Sequence, residues 1–114
     1  MIPEVPGQLL RIYVDEGAKH DGKLVHEAIV RLCLKEGLAG ATVLRGIAGF
    51  GARHRLHKAG LERFSADLPV VVEIVDVAEK IERLLPQIRE MAGGGLITLE
   101  QVRIVATPPA VQHA

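Results

Sequence analysis

Leu68-Pro69-Val70-Val71-Val72-Glu73-Ile74-Val75 is the stretch on which the fold turns. Val70, Val71, Val72, Ile74 and Val75 fall at both odd and even positions, so a strand here is apolar on both faces. A sheet with one wet face needs only alternate apolar residues. A chain that carries such a strand must therefore cover its sheet on both sides.

Three further strands and two helices surround it. Gln8 to Asp15 alternates, with Leu10, Ile12 and Val14 on one side and Arg11 and Tyr13 on the other. Ala41 to Ile47 reads as the next strand, and Leu96 to Val105 as the last, with an interruption expected near Glu100. Between the first two strands, Leu24, Ala28 and Leu32 form one row of a helix and Val25, Ile29 and Cys33 the adjoining row. Asp21 is its expected cap, Glu27 and Arg31 are spaced for an exposed pair, and Gly37 is its stop. Asp76 and Glu79 have the spacing of a capping box at the head of a second helix. Its core row is Ile81, Leu84, Leu85, Ile88 and Met91, Pro86 should bend it, and Gly93-Gly94-Gly95 ends it.

The order βαββαβ is that of a ferredoxin-like α+β domain. Right-handed crossovers place both helices on one face of the sheet. The other face has no cover within the chain, and a second copy is the simplest occupant. Residues 1–114 read as one domain, with 48–66 a long mobile loop and 107–114 a loose tail.

Composition narrows the chemistry. The 14 Lys+Arg and 14 Asp+Glu cancel, so no general attraction to nucleic acid or membrane is expected. The aromatics are Tyr13, Phe50 and Phe64, too few for the base-stacking surface of an RNA-binding sheet. Cys33, the lone cysteine, lies in the apolar stripe of the first helix and reads as a buried, inert thiol. Ser65 is the single serine, with no elbow motif around it, and no asparagine is present. No nucleophile is paired with a base, and a non-enzyme is expected. The N-terminal segment has neither the basic nor the apolar region of a secretory leader, which favours the cytoplasm. His54 and His57 have a metal-ligand spacing, but Arg53, Arg55 and Lys58 would repel a cation, so no metal is required.

Glycine placement is more telling. The run from Gly40 to Arg55 passes from strand into Gly46, Gly49 and Gly51 and then into a basic loop. Gly93-Gly94-Gly95 precedes the last strand. Turns of this kind expose N–H groups that cradle anions, and the nearby arginines add attraction, so a phosphate-bearing ligand is expected.

These segments resemble the PII family of nitrogen-regulatory signal proteins, through Gly40-Ala41-Thr42-Val43, Gly49-Phe50-Gly51, Leu68 to Val75, Gly93-Gly94-Gly95-Leu96-Ile97 and Val102-Arg103-Ile104. Arg45-Gly46-Ile47-Ala48-Gly49-Phe50-Gly51 and Asp67 to Asp76 are most similar to its PII-like relatives of domain-of-unknown-function family 190. The resemblance implies a homotrimer with sheets inward and helices outward. It implies an adenine nucleotide in clefts between subunits, and control of a partner protein, such as a membrane transporter or an enzyme, through the long loop. Thr42 would then lie beside the adenine, and Gly49 and Gly51, with Phe50 between them, would begin the loop. Gly93, Gly94 and Gly95 would offer N–H groups to phosphate, and Arg103 would reach across. Arg45 and Arg53 join this set on charge and position. Leu96 stands where PII proteins carry a lysine and Val105 where they carry a second cation, which favours AMP or ADP over ATP. The loop from Ala52 to Ala66 has no tyrosine for nucleotidylylation. A trimeric divalent-metal-responsive protein and a purely structural interaction trimer are the alternatives.

Overall fold

The computed structural model describes residues 4–50, 57–58 and 68–106. In chain order the elements are β1 (Val5–Asp15), β2 (Lys19–His20), β3 (Lys23–Leu24), α1 (Val25–Lys35), β4 (Ala41–Arg45), β5 (Ala48–Gly49), β6 (His57–Lys58), β7 (Pro69–Asp76), α2 (Ala78–Ala92) and β8 (Leu96–Ile104). The main sheet has the order β4-β7-β1-β8, antiparallel throughout. This is the expected ferredoxin-like α+β arrangement, extended by the β2–β3 and β5–β6 hairpins. The run Lys19–Leu24 is too short and too polar to show a strand period, so the sequence reading missed it.

Both helices lie on one face. Leu10, Ile12 and Val14 of β1 and Val70, Val72 and Ile74 of β7 are buried there with Val25, Ile29 and Cys33 of α1 and Ile81, Leu84 and Ile88 of α2. Of the two rows proposed for α1, only Val25/Ile29/Cys33 is fully buried; Leu24, Ala28 and Leu32 are half-buried on its flank. α1 closes with paired bonds, Leu38 N–H to Cys33 O (3.0 Å) and Gly37 N–H to Leu34 O (3.3 Å). Gly37, at φ 72°, supplies the left-handed residue this ending requires.

The helix starts differ from expectation. Asp21 caps nothing: with φ 52°, it and Gly22 (φ 77°) form the tip of the β2–β3 hairpin, and α1 begins after Leu24. Asp76 makes no capping box either. Its buried carboxylate accepts Ala39 N–H (2.8 Å) and Val77 N–H (2.7 Å), tying the α1–β4 connection to the head of α2. The Glu27–Arg31 pair does not close among the described residues. β4 stops at Arg45 rather than Ile47, and β8 runs unbroken through Glu100. α2 runs on through Pro86, which sits on its exposed side and has no N–H to give the Glu82 carbonyl.

Register assigns the opposite face. Leu9, Arg11 and Tyr13 share it with Val71, Glu73 and Val75 of β7, with Thr42 and Leu44 of β4, and with Leu96, Thr98 and Glu100 of β8. Tyr13, Leu44, Val75 and Leu96 are exposed on it. At its centre Arg11 Nε meets Glu73 at 3.0 Å while Nη1 pairs with Glu100. This is the uncovered, largely apolar face that the strand pattern anticipated.

Burial, then the Asp76 carboxylate, pushes the Cys33 thiol up to about 11. The folded thiol thus ionises above the ordinary 9.0, so the stability it contributes is complete below about pH 9 and is lost as pH rises toward 11. Urea unfolding at pH 8 and pH 10.5 should show this loss, and Cys33→Ala should flatten it. Iodoacetamide at pH 8 should label the native chain roughly a hundredfold more slowly than the unfolded one, from thiolate fraction alone.

Candidate functional site

Antiparallel pairing brings the glycine-rich segments to one end of the sheet. Arg45 is opposite Val70, and Val14 is opposite the same Val70. Tyr13 is opposite Leu96, the first residue of β8. The end of β4 and the α2–β8 turn are therefore level, but they occupy opposite edges. Three inter-strand steps separate them, about 14 Å. One chain does not bring the two glycine sets together.

On the β4 edge, Gly46 N–H donates to Pro69 O at 2.7 Å, and a Cβ at Gly46 would meet the Pro69 ring at 2.9 Å. Gly49, at φ 150°, lies against the same proline. β5 then pairs with β6, Ala48 opposite Lys58 and Gly49 opposite His57, so the segment expected as a mobile loop begins with a short paired stem. Arg45 pairs with Glu16, which neutralises part of its charge. Phe50 is exposed beyond Gly49. Gly51, Arg53 and His54 lie outside the described residues, as does most of the 48–66 loop and the 107–114 tail.

On the β8 edge the three glycines differ from one another. Gly93 (φ 57°) ends α2 and its N–H donates to Arg89 O (3.2 Å). Gly95 N–H donates to Ala92 O (3.0 Å), and a Cβ there would strike Tyr13 O at 2.7 Å. Two of the three amides expected to face phosphate are thus engaged within the turn. Gly94 and Gly93 both have open space around them, but of the three only the Gly94 N–H makes no backbone bond among the described residues. Beside this turn, α2 and β8 bound a cleft of about 640 Å³ lined by Arg89, Glu90, Gly93, Gly95 and Thr98 over Leu85 and Leu99. Arg89 and Thr98 were missed from sequence; the spacing Arg89-x-x-x-Gly93, one helical turn, was the available signal.

Two expected residues stand apart. Thr42 is opposite Glu73 on the uncovered face, three residues before Arg45. Arg103 is opposite Pro6 and pairs with Glu4 at 3.2 Å. Eight positions along β8 put it about 26 Å from Gly95. Among the described residues no group of three or more His, Cys, Asp or Glu is placed to hold a metal, and no helix is long and apolar enough to cross a membrane.

Comparison with known proteins fits this architecture. A UPF0166 protein of Aquifex aeolicus is 42% identical over 101 residues, covering 89% of this chain and 95% of the relative. One from Methanocaldococcus jannaschii is 37% identical over 101 residues, covering 88% and 93%. Among solved structures, CPII of Thiomonas intermedia K12, a nitrogen regulatory PII-like protein bound to ADP, AMP and bicarbonate, superposes with a TM-score of 0.65 at 18% identity, covering 93% of this chain and 94% of that one. The fold is thus shared with PII-like proteins. The family model of DUF190 (Uncharacterized ACR, COG1993) matches residues 7–104. With almost the whole described fold inside that match, the chain belongs to the DUF190 family.

Proposed function

We propose that this chain is the subunit of a trimeric PII-like regulatory protein. In this reading it binds AMP or ADP in clefts between subunits and signals to a partner protein through the segment that β5 and β6 enclose. The observation that carries the reading is the division of the glycine sets between opposite edges at one end of the sheet. A second copy packed on the uncovered face would bring one subunit's β4 end beside another's α2–β8 turn, and would let Arg103 act across the seam rather than within its own chain. The ADP and AMP of the PII-like neighbour are consistent with such a cleft.

The ligand preference follows from the donors. Gly94 N–H and Arg89 are available, Arg45 is shared with Glu16, and Leu96 adds no charge. Each missing charge-assisted hydrogen bond costs a triphosphate about 1.5–3 kcal/mol. The shorter phosphates therefore fit better. Ligand would act by favouring one arrangement of the 48–66 loop over another, through its differential affinity for the two.

Calorimetry with AMP, ADP and ATP tests the nucleotide. AMP and ADP should bind, and ATP at least tenfold more weakly; no heat from any at millimolar concentration refutes the reading. Gly94→Val should weaken AMP at least tenfold at unchanged melting temperature, since nothing lies within 4 Å of its Cβ. Gly95→Val should instead lower stability by several kcal/mol through its clash with the β1 backbone. Sedimentation should give three times the 12.3 kDa chain mass. Arg11→Met should weaken that assembly, seen as dissociation at concentrations where the parent chain stays assembled, because Glu73 and Glu100 would face the seam without a cation. Adding Glu73→Gln and Glu100→Gln should restore it.

A further inference from the structure

The β2–β3 hairpin stands off the flank of α1 and leaves a second cleft of about 590 Å³. Lys19 and Lys23 line it from the hairpin, and Arg31 from the helix. Glu27 is the one carboxylate in the lining, and Leu24 and Ala28 form its apolar side. None of the three cations is paired with a carboxylate among the described residues. His20, which could add charge nearby, is instead turned to Asp21 at 3.3 Å.

Three cations against the single carboxylate of Glu27 leave this concavity with net positive charge, which attracts an anion. The hairpin's two strands pair with each other and not with the main sheet. We propose that this cleft is a separate binding site for a small phosphomonoester. A phosphate near pH 7 carries about −1.5 to −2 charge and three acceptor oxygens. It matches two lysines and an arginine better than a single carboxylate does. The volume exceeds what inorganic phosphate alone needs, leaving room for an organic body against Leu24 and Ala28. Glu27 then accepts from a hydroxyl of that body, which points to a phosphorylated polyol or sugar. The proposal stands independently of the adenine-nucleotide reading, because it shares no residue with the glycine turns.

Amide NMR on the intact protein tests it, with glucose 6-phosphate, inorganic phosphate and malate as probes. Glucose 6-phosphate should shift amides of residues 19–31 and leave 93–95 unmoved, with inorganic phosphate following more weakly. Lys23→Gln and Arg31→Gln should each weaken glucose 6-phosphate about fivefold to tenfold, and raised salt should do the same. Both side chains are exposed, so the variants should fold, and their thermal melts should match that of the parent chain. Shifts absent from residues 19–31, or an affinity indifferent to both substitutions, overturn the site. Malate binding as tightly as glucose 6-phosphate overturns the phosphate class.

Discussion

A four-stranded sheet that carries both helices on one side leaves the other side to be covered by something else. In this chain that side is largely apolar yet exposed. Leu9, Val71, Val75, Leu44, Tyr13 and Leu96 surround a single guanidinium, Arg11, held between Glu73 and Glu100. This cluster shares one guanidinium between two carboxylates, which leaves a net negative charge that solvent screens while the face is open. It opposes wrong arrangements more than it adds affinity: a copy docked out of register would separate charges that cannot then recover water. In the proposed assembly the apolar ring would supply the drive and the charged centre the register.

The division of labour among the glycines follows from the same sheet. Gly46 and Gly95 are small because backbone or Pro69 lies where a side chain would go, one just after β4 and one just before β8. They set how tightly the turns close. Gly94 faces open space and has a free amide, so its lack of a side chain serves something outside the chain or nothing at all. A glycine run in sequence does not reveal which member packs and which is offered to a ligand. The answer depends on which carbonyl each amide meets.

That distinction explains what was legible in the sequence. The alternation of Leu10, Ile12 and Val14, and of Val70, Val72 and Ile74, reflects burial under the helices, which has a period, and was readable. Gly37 was readable because a left-handed helix end is a local need. Asp21 and Asp76 were misread because a carboxylate ahead of a helix has other choices. Asp76 meets an amide 37 residues away, at Ala39, and Asp21 is at a hairpin tip whose two-residue strands are too short to show any pattern. Glu100 resembled a strand breaker only while Arg11, diagonal to it across β1 and β8, was out of view. Arg103 shows the opposite limit: its strand was correctly read, but the distance that separates it from Gly95 appears only once β8 is drawn as one continuous element.

Pro69 connects the uncovered face to the segment beyond β5. It opens β7, accepts Gly46 N–H through its carbonyl, and packs its ring against both Gly46 and Gly49. The β5–β6 stem is therefore seated on the first residue of the strand whose Val71, Glu73 and Val75 form the middle of the uncovered face. With another copy over that face, as proposed, β7 would be packed on both sides and the base of the stem would be held with it. A rigid base is a condition for any ligand in the seam to bias the loop, since a base that moved with it would dissipate the differential affinity on which the response depends.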